Sequence, residues 1–145
     1  MGHIMAKLAF ERLDVYRLSE KLADGIWDSV RGWESLARDT VGKQLIRAGD
    51  SIGANIAEGM GRGTAKDNCR FIQVARGSLY EAVHFLRRAF KRQLLTDAQI
   101  KQFQKIITEL GPRLNAYLNS VRSRQRPPRS PRPDGKLLIL PPQTL

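Results

Sequence analysis

A stripe of apolar and small residues, spaced by three and four, runs through the middle of the chain from Val41 to Gly59. This spacing keeps one side of a helix facing its neighbours. Its members are Val41, Leu45, Ala48, Ile52, Asn55 and Gly59. Asn55 places an amide where an apolar side chain is expected, and Gly59 places no side chain there. Because glycine, alanine and serine also surround the stripe, we predict a thin helix whose backbone neighbouring helices approach closely.

Three further segments have the helical period of apolar residues. They cover about residues 13–31, 64–92 and 96–121, and the thin helix covers about 36–59. Thr64 and Thr96 each precede an acidic or amide residue by three positions, the pattern of a helix N-terminal cap. Gly111 and Pro112 interrupt the last segment, where we expect a kink without a break. Four helices with short connections predict an all-α, antiparallel up-down-up-down four-helix bundle.

The third helix has more apolar residues than one bundle core needs. A helix packed in a single core needs one apolar stripe about 100° wide. Here two overlapping stripes are present: Phe71, Ala75, Ser78, Ala82, Phe85 and Ala89, and beside them Ile72, Leu79, Val83, Leu86 and Phe90. We therefore expect part of this helix to pack against a second copy of the chain.

The composition changes at both ends of the predicted bundle. Residues 1–9 are interpreted as a cloning remnant and lead-in, residues 10–122 as the four-helix bundle, and residues 123–145 as a basic tail. Prolines and arginines alternate in the tail, which predicts an extended segment. The tail ends near the apolar residues 137–140. We expect these either to be disordered or to dock on the bundle or on a neighbouring copy.

The net charge of the chain is +11, from 25 Lys and Arg against 14 Asp and Glu. A positive field of this size favours RNA or DNA, or an acidic protein, as a partner. Since no apolar run reaches the roughly 18 residues that a membrane helix needs, we expect no membrane partner. A single cysteine, Cys69, and no secretory leader predict a cytoplasmic protein.

A group of polar residues from the second and third helices is the first candidate site. We predict that it forms a hydrogen-bonded network that fixes helix register, as polar seam residues do in coiled coils. A less favoured alternative is nucleic-acid processing by Glu58 and Glu81. The spacing of these residues predicts no catalytic set, cofactor or metal site. The group consists of Asn55, Glu58, Arg62, Arg76, Ser78 and Glu81.

A second candidate site consists of cations that could contact nucleic acid. Four of them, Arg87, Arg88, Lys91 and Arg92, cluster in the last turns of the third helix. They could bind phosphates, or they could complement the negative end of the helix dipole. The remaining candidates follow the last helix: Arg124, Arg126, Arg129 and Arg132. Because the tail lacks aromatic residues, sequence-specific recognition is not indicated.

Three motifs resemble the bacterial four-helix-bundle family of 23S rRNA intervening-sequence proteins. They are residues 10–16 (FERLDVY), residues 51–59 (SIGANIAEG) followed by Gly61 and Arg62, and Phe71 followed by residues 75–81 (ARGSLYE). The resemblance covers about residues 10–121. A more distant likeness is to the accessory variability determinant of diversity-generating retroelements, a basic pentameric bundle that binds nucleic acid and a reverse transcriptase.

The resemblance implies a four-helix bundle and a ring-shaped homo-oligomer, with five copies as in the distant relative. It supplies no biochemical activity, because the family has no settled one, and it says nothing about the tail, which departs from the family pattern. We therefore expect a cytoplasmic, non-enzymatic bundle that self-associates and binds RNA or another nucleic acid through basic surface. The alternative is a protein–protein interaction or scaffold module with an unidentified partner.

Overall fold

A computed structural model describes residues 6–125 as a bundle of four long helices. A 3-10 turn, Ala9–Arg12, precedes helix α1, Asp14–Val30. Helix α2 is composite, helix α3 is Ala65–Lys91, and helix α4 is Asp97–Ser123. The predicted all-α four-helix bundle is thus confirmed. Residues 1–5 and 126–145, which include most of the predicted tail and its apolar residues 137–140, lie outside the described residues.

Helix α2 contains a widened turn that the sequence pattern did not predict. It begins with the short segment Ser35–Ala37, continues through a π-helical turn, Arg38–Gly42, and then runs as a regular helix, Lys43–Gly61. A Cβ atom on Gly42 would lie 2.6 Å from Val30 Cγ1 at the end of α1. The absence of a side chain therefore lets this turn pack against the end of the preceding helix.

Local hydrogen bonds define both ends of the connection between α3 and α4. Gln93, with φ of 60°, is in the left-handed conformation that commonly ends a helix. Its N–H donates to Phe90 O, and Leu94 N–H donates to Ala89 O, both at 3.0 Å. Thr96 then begins α4 with the predicted capping box, in which Gln99 N–H donates to Thr96 Oγ1 and Gln99 Oε1 accepts from Thr96 N–H. The short loop brings the last turns of α3 beside the first turns of α4.

Each helix packs mainly on the two that flank it in a square arrangement. Helix α1 contacts α2 and α4, and α3 also contacts α2 and α4. Arg113 in the second half of α4 donates to Asp14 at the start of α1, at 2.9 Å. Asn68 near the start of α3 donates to Tyr117 Oη of α4, at 3.4 Å. Helices α1 and α3 therefore both run antiparallel to α4, and the approach of Gly42 to Val30 and of Gly53 to Ser19 shows that α2 is antiparallel to α1. We call the end of the bundle with the α3–α4 loop the Gln93 end, and the opposite one the Gly63 end.

The core runs the length of the bundle and departs from the predicted stripe at one position of α2. Asn55 is only half-buried, and its neighbour Ile56 is fully buried. A strict heptad advances by 3.5 residues per turn, whereas a straight helix has 3.6, so the buried face drifts relative to the heptad. The prediction of Asn55 as a core residue is wrong for this reason. Gly59 is buried as predicted.

The two apolar stripes of α3 are mostly accounted for by the bundle itself. Helix α3 lies between α2 and α4, so its buried face is wide, and residues of both stripes are buried: Ile72, Ala75, Leu79, Ala82, Leu86 and Ala89. The large apolar side chains that α3 leaves exposed are Val74, Tyr80 and Phe90. The surplus apolar surface is therefore narrower than the sequence predicted. No helix among residues 6–125 combines the length and the apolar character needed to cross a membrane.

Replacing Gly59 by alanine tests the close packing of α2 on α3. A Cβ atom there would lie 2.6 Å from Asn68 Oδ1 and 2.9 Å from Phe71 Cβ. We expect Gly59→Ala to lower the free energy of unfolding by about 1–3 kcal/mol through overcrowding, although alanine alone favours a helix by about 1 kcal/mol. Chemical denaturation measures the change.

Gly61→Ala is the matched control, because a Cβ atom there meets nothing within 4 Å. It should leave the stability unchanged or raise it slightly. Equal stability of the Gly59→Ala variant and the wild type would contradict close packing at Gly59.

Candidate nucleic-acid interface

A cluster of hydrogen bonds joins the middle of α2 to the middle of α3. Ser78 Oγ donates to Ser51 Oγ at 3.0 Å. Asn55 Nδ2 donates to Ser51 O at 2.8 Å and lies 3.0 Å from Ser51 Oγ. Since Ser78 is buried, its hydroxyl needs a partner within the protein, and Ser51 supplies it. Two of the six predicted network residues, Asn55 and Ser78, therefore meet through Ser51.

The other four predicted network residues lie elsewhere. Glu58 and Arg62 form a half-exposed ion pair of 2.7 Å along α2, and Arg76 Nη1 donates to Asn115 Oδ1 of α4 at 3.3 Å. Glu81 is exposed. The six residues therefore do not form one connected network: Glu58 pairs along its own helix, and Arg76 crosses to α4. Within residues 6–125, no three His, Cys, Asp or Glu side chains gather where they could hold a metal ion.

An acidic groove lies between α1 and α2, on a molecule that is otherwise basic. Its volume is about 350 Å³, and small residues of α2, including Gly49 and Gly53, form its floor. Glu20, Asp24 and Asp50 supply its negative charge. Burial, and then the nearby Asp24 carboxylate, raise the pKa of Asp50 above its usual value. The pKa of Tyr16 is raised for the same two kinds of reason, burial first and neighbouring carboxylates second.

A larger apolar groove lies between α3 and α4 at the Gln93 end. The short loop and its two caps place the last turns of α3 beside the first turns of α4, and the groove between them has a volume of about 620 Å³. Its apolar lining comes from both helices: Val83, Leu86, Phe90, Ile100, Phe103 and Ile107. Its polar lining is His84, Arg87, Arg88, Lys91, Gln104 and Thr108. We call this site the basic groove.

The cations predicted from the end of α3 are grouped at the basic groove. Arg87, Arg88 and Lys91 line it, and Arg92 follows at the end of the helix. Among residues 6–125, none of these four takes part in an ion pair. Their charge is therefore not neutralised within the described part of the chain, and an anion can approach it. The exposed Lys101 and Lys105 of α4 extend the positive surface.

The predicted cations after α4 lie away from the basic groove. Arg124 is exposed at the Gly63 end. Since α4 has 27 residues, at 1.5 Å per residue the two ends of this helix are about 40 Å apart. Arg126, Arg129 and Arg132 lie outside the described residues. The predicted nucleic-acid contacts therefore divide into a compact group on α3 and a separate group that starts at Arg124.

The sequence patterns do not predict the basic groove, because they place its apolar residues in helical stripes expected to form the bundle core or a contact with a second copy. Phe90 is the clearest case, with 48% of its surface exposed. Its position among Arg87, Arg88 and Lys91 is a readable signal, since an aromatic residue among cations on one helical segment is typical of nucleic-acid surfaces. Ile100 and Phe103 could not be found this way, because only the folded chain brings α4 beside these cations.

Comparison with known proteins assigns the chain to a family. The family model described as 23S rRNA-intervening sequence protein matches residues 11–116. The chain belongs to this family, as its motifs predicted. No curated protein matches the chain.

A solved structure confirms the fold. The chain is similar to a crystal structure from Bacteroides thetaiotaomicron, described as a protein of unknown function from the S23 ribosomal protein family. The TM-score is 0.64 at 23% sequence identity, over 72% of this chain and 97% of the other. At this identity the likeness establishes the arrangement of helices alone.

Substitutions at Ser51 and Glu58 compare the contributions of the buried hydrogen bond and of the surface ion pair to stability. Ser51→Ala removes the partner of the buried Ser78 hydroxyl, so we expect the free energy of unfolding to fall by about 1–3 kcal/mol. Glu58→Ala breaks only an exposed pair and should change it by less than about 1 kcal/mol. Thermal or chemical denaturation of both variants checks this. A larger loss for Glu58→Ala than for Ser51→Ala would contradict the assignment.

Proposed function

We propose that this protein is a non-enzymatic RNA-binding helical bundle, and that the basic groove is its binding surface. The observation that carries the proposal is the group of Arg87, Arg88 and Lys91, which line an apolar groove without partner carboxylates in the described residues. Phosphates bind such groups of cations and release their counterions as they do so. The net charge of +11 favours the approach of a polyanion from a distance.

RNA is the preferred polyanion for two reasons. The description of the family refers to an intervening sequence of 23S rRNA. The bundle also presents an apolar surface beside its cations, which suits exposed bases better than a continuous DNA duplex. A non-enzymatic role is part of the proposal, because the carboxylates that an enzyme would use, Glu58 and Glu81, lie outside the basic groove.

The helix dipole is the competing explanation for the cations of α3. Its effect falls off beyond the last turn of a helix, so it accounts for Arg88 and Lys91. It does not account for Arg87, which lies one residue before Arg88. It also does not account for Lys101, which is close to the positive end of α4. The basic surface is therefore broader than the dipole explains.

Removing charge from the groove tests RNA binding. We expect the combined variant Arg87→Gln, Arg88→Gln, Lys91→Gln to bind a short single-stranded RNA more weakly and with a shallower salt dependence. Each lost phosphate contact should reduce the slope of log affinity against log salt by about 0.7. Fluorescence anisotropy across a salt series measures both quantities.

The matched control removes the same charge from α1 and the turn that precedes it, by Arg12→Gln, Arg17→Gln and Lys21→Gln. These residues are exposed and lie away from the groove. Equal losses in the two variants would mean that only net charge matters, which would refute the groove as the site. Binding of RNA by neither the wild type nor the variants would refute the function and favour a protein-interaction module.

Self-association through α3 is a second proposed role. Val74 and Tyr80 are 46% and 65% exposed on the outer side of α3, and Gly77 lies between them. A Cβ atom on Gly77 would meet nothing within 4 Å, so packing within one subunit does not require a glycine there. A glycine inside a helix is nevertheless less favourable than alanine by about 1 kcal/mol. A second copy packed closely on this face would explain why glycine, which has no side chain, occupies this position.

The distribution of charge favours a ring over a two-fold dimer. The acidic groove lies between α1 and α2, and α3 lies diagonally across the square from α1. A contact between these two different faces would be heterologous, and heterologous contacts form rings when the rotation between copies closes. The resemblance to a pentameric bundle implies five copies. We therefore propose a closed homo-oligomeric ring, with a pentamer as its expected size.

Gly77→Leu tests the proposed contact face. Leucine favours a helix, so the variant subunit should be at least as stable as the wild type. Its side chain should nevertheless block close approach of a second copy, so light scattering should give a lower mass than for the wild type. Gln102→Leu, which adds the same side chain at an exposed position of α4, should retain the wild-type mass. A monomeric wild type, or an unchanged mass for Gly77→Leu, would contradict self-association through this face.

A further inference from the structure

We infer that the basic groove selects single-stranded over double-stranded RNA by stacking an unpaired base on Phe90. This inference rests on the proposed RNA binding and specifies which RNA the site takes. Three features of the groove support it: an exposed aromatic ring, cations beside that ring, and an apolar wall with polar groups at its far edge.

Phe90 presents an aromatic ring to solvent at the mouth of the groove. The ring lines the groove and leaves 48% of the residue's surface exposed. The backbone beneath it is fixed, because the Phe90 carbonyl accepts the Gln93 N–H that ends the helix. An aromatic ring held at a fixed place can stack with any base, since every base has a π face.

The cations beside Phe90 are placed for the phosphates of a stacked nucleotide. Arg87 lies three residues before Phe90, so the two side chains share one side of the helix. Lys91 follows Phe90 directly, and both cations line the groove. A base on the ring therefore has positive charge on either side along α3. This combination of stacking platform and adjacent cations is how proteins bind single strands without sequence preference.

Helix α4 supplies the opposite wall of the groove. Ile100, Phe103 and Ile107 give it an apolar surface, against which a base is removed from water. Gln104 and Thr108 lie on the same wall, one turn apart. The Gln104 amide can donate and accept hydrogen bonds, whereas the Thr108 hydroxyl donates to Gln104 O at 2.6 Å and can accept from a base. They can therefore pair with the edges of different bases. The wall favours insertion of a base without restricting which base it is.

A duplex cannot use these features. Its bases are paired and stacked within the helix, and the deep major groove of A-form RNA is too narrow for side chains to read. A duplex would meet only the cations at the rim, which contact phosphates equally well in either form. The contribution of Phe90 is thus specific to unpaired RNA. One aromatic stacking contact corresponds to a roughly five- to hundredfold difference in affinity.

The test compares affinities of the full chain for a single-stranded oligouridylate and for an RNA duplex of the same length, at one salt concentration. Phe90→Leu keeps an apolar side chain at a half-exposed position, so the bundle should fold, as circular dichroism will verify. We expect it to weaken binding of the single strand at least fivefold and to leave duplex binding unchanged. Phe90→Trp should restore binding of the single strand.

Trp27→Leu is the matched control, since Trp27 is an aromatic residue of α1 with 55% of its surface exposed. It should change neither affinity. If the wild type binds both RNAs equally and Phe90→Leu alters neither, RNA binding stands and the inference fails. If neither RNA binds in a salt-dependent way, the proposed function itself fails. An equal loss for both RNAs in Phe90→Leu would also overturn selection by stacking.

Discussion

The close approach of α2 to its two neighbours is the constraint on which the rest of the bundle depends. Cβ atoms on Gly49 and Gly53 would lie 2.9 Å from Ile26 Cδ1 and 3.0 Å from Ser19 Oγ, both on α1. On the α3 side, Gly59 lies against Asn68 and Phe71. Because protein interiors are close-packed, such contacts allow one relative placement of the helices and few others. The small residues of α2 thereby determine where both α1 and α3 lie.

The same constraint positions the basic groove although α2 contributes no residue to it. Gly59 and the Ser51–Ser78 hydrogen bond hold α3 in register with α2. The last turns of α3 therefore reach the Gln93 end at a fixed position along the axis of the bundle. The turn at Gln93 and the cap at Thr96 then lead the chain directly into α4. An aromatic ring, three cations and an apolar wall are brought together by packing and by two local motifs. Binding chemistry at this end therefore depends on packing near the middle of the bundle.

Sequence patterns predicted the parts of the structure that depend on local chemistry. Apolar spacing gave the four helices, and Thr64 and Thr96 cap α3 and α4 as their patterns indicated. The patterns did not predict features that depend on how the helices pack in three dimensions. The π-helical turn Arg38–Gly42 has no signature in apolar spacing. The core position expected at Asn55 belongs to Ile56, and the groove joins residues of α3 and α4 that only the folded chain brings together.

The measurement that tests the central claim most directly is the change in side-chain methyl NMR signals on adding a single-stranded RNA. The account predicts shifts at the methyl groups of Leu86, Ile100 and Ile107, which line the basic groove. It also predicts unchanged signals from Val15 and Val121, which are buried toward the Gly63 end. Shifts confined to the Gly63 end would contradict the account, because they would place RNA at the far end of the bundle from Phe90 and its neighbouring cations.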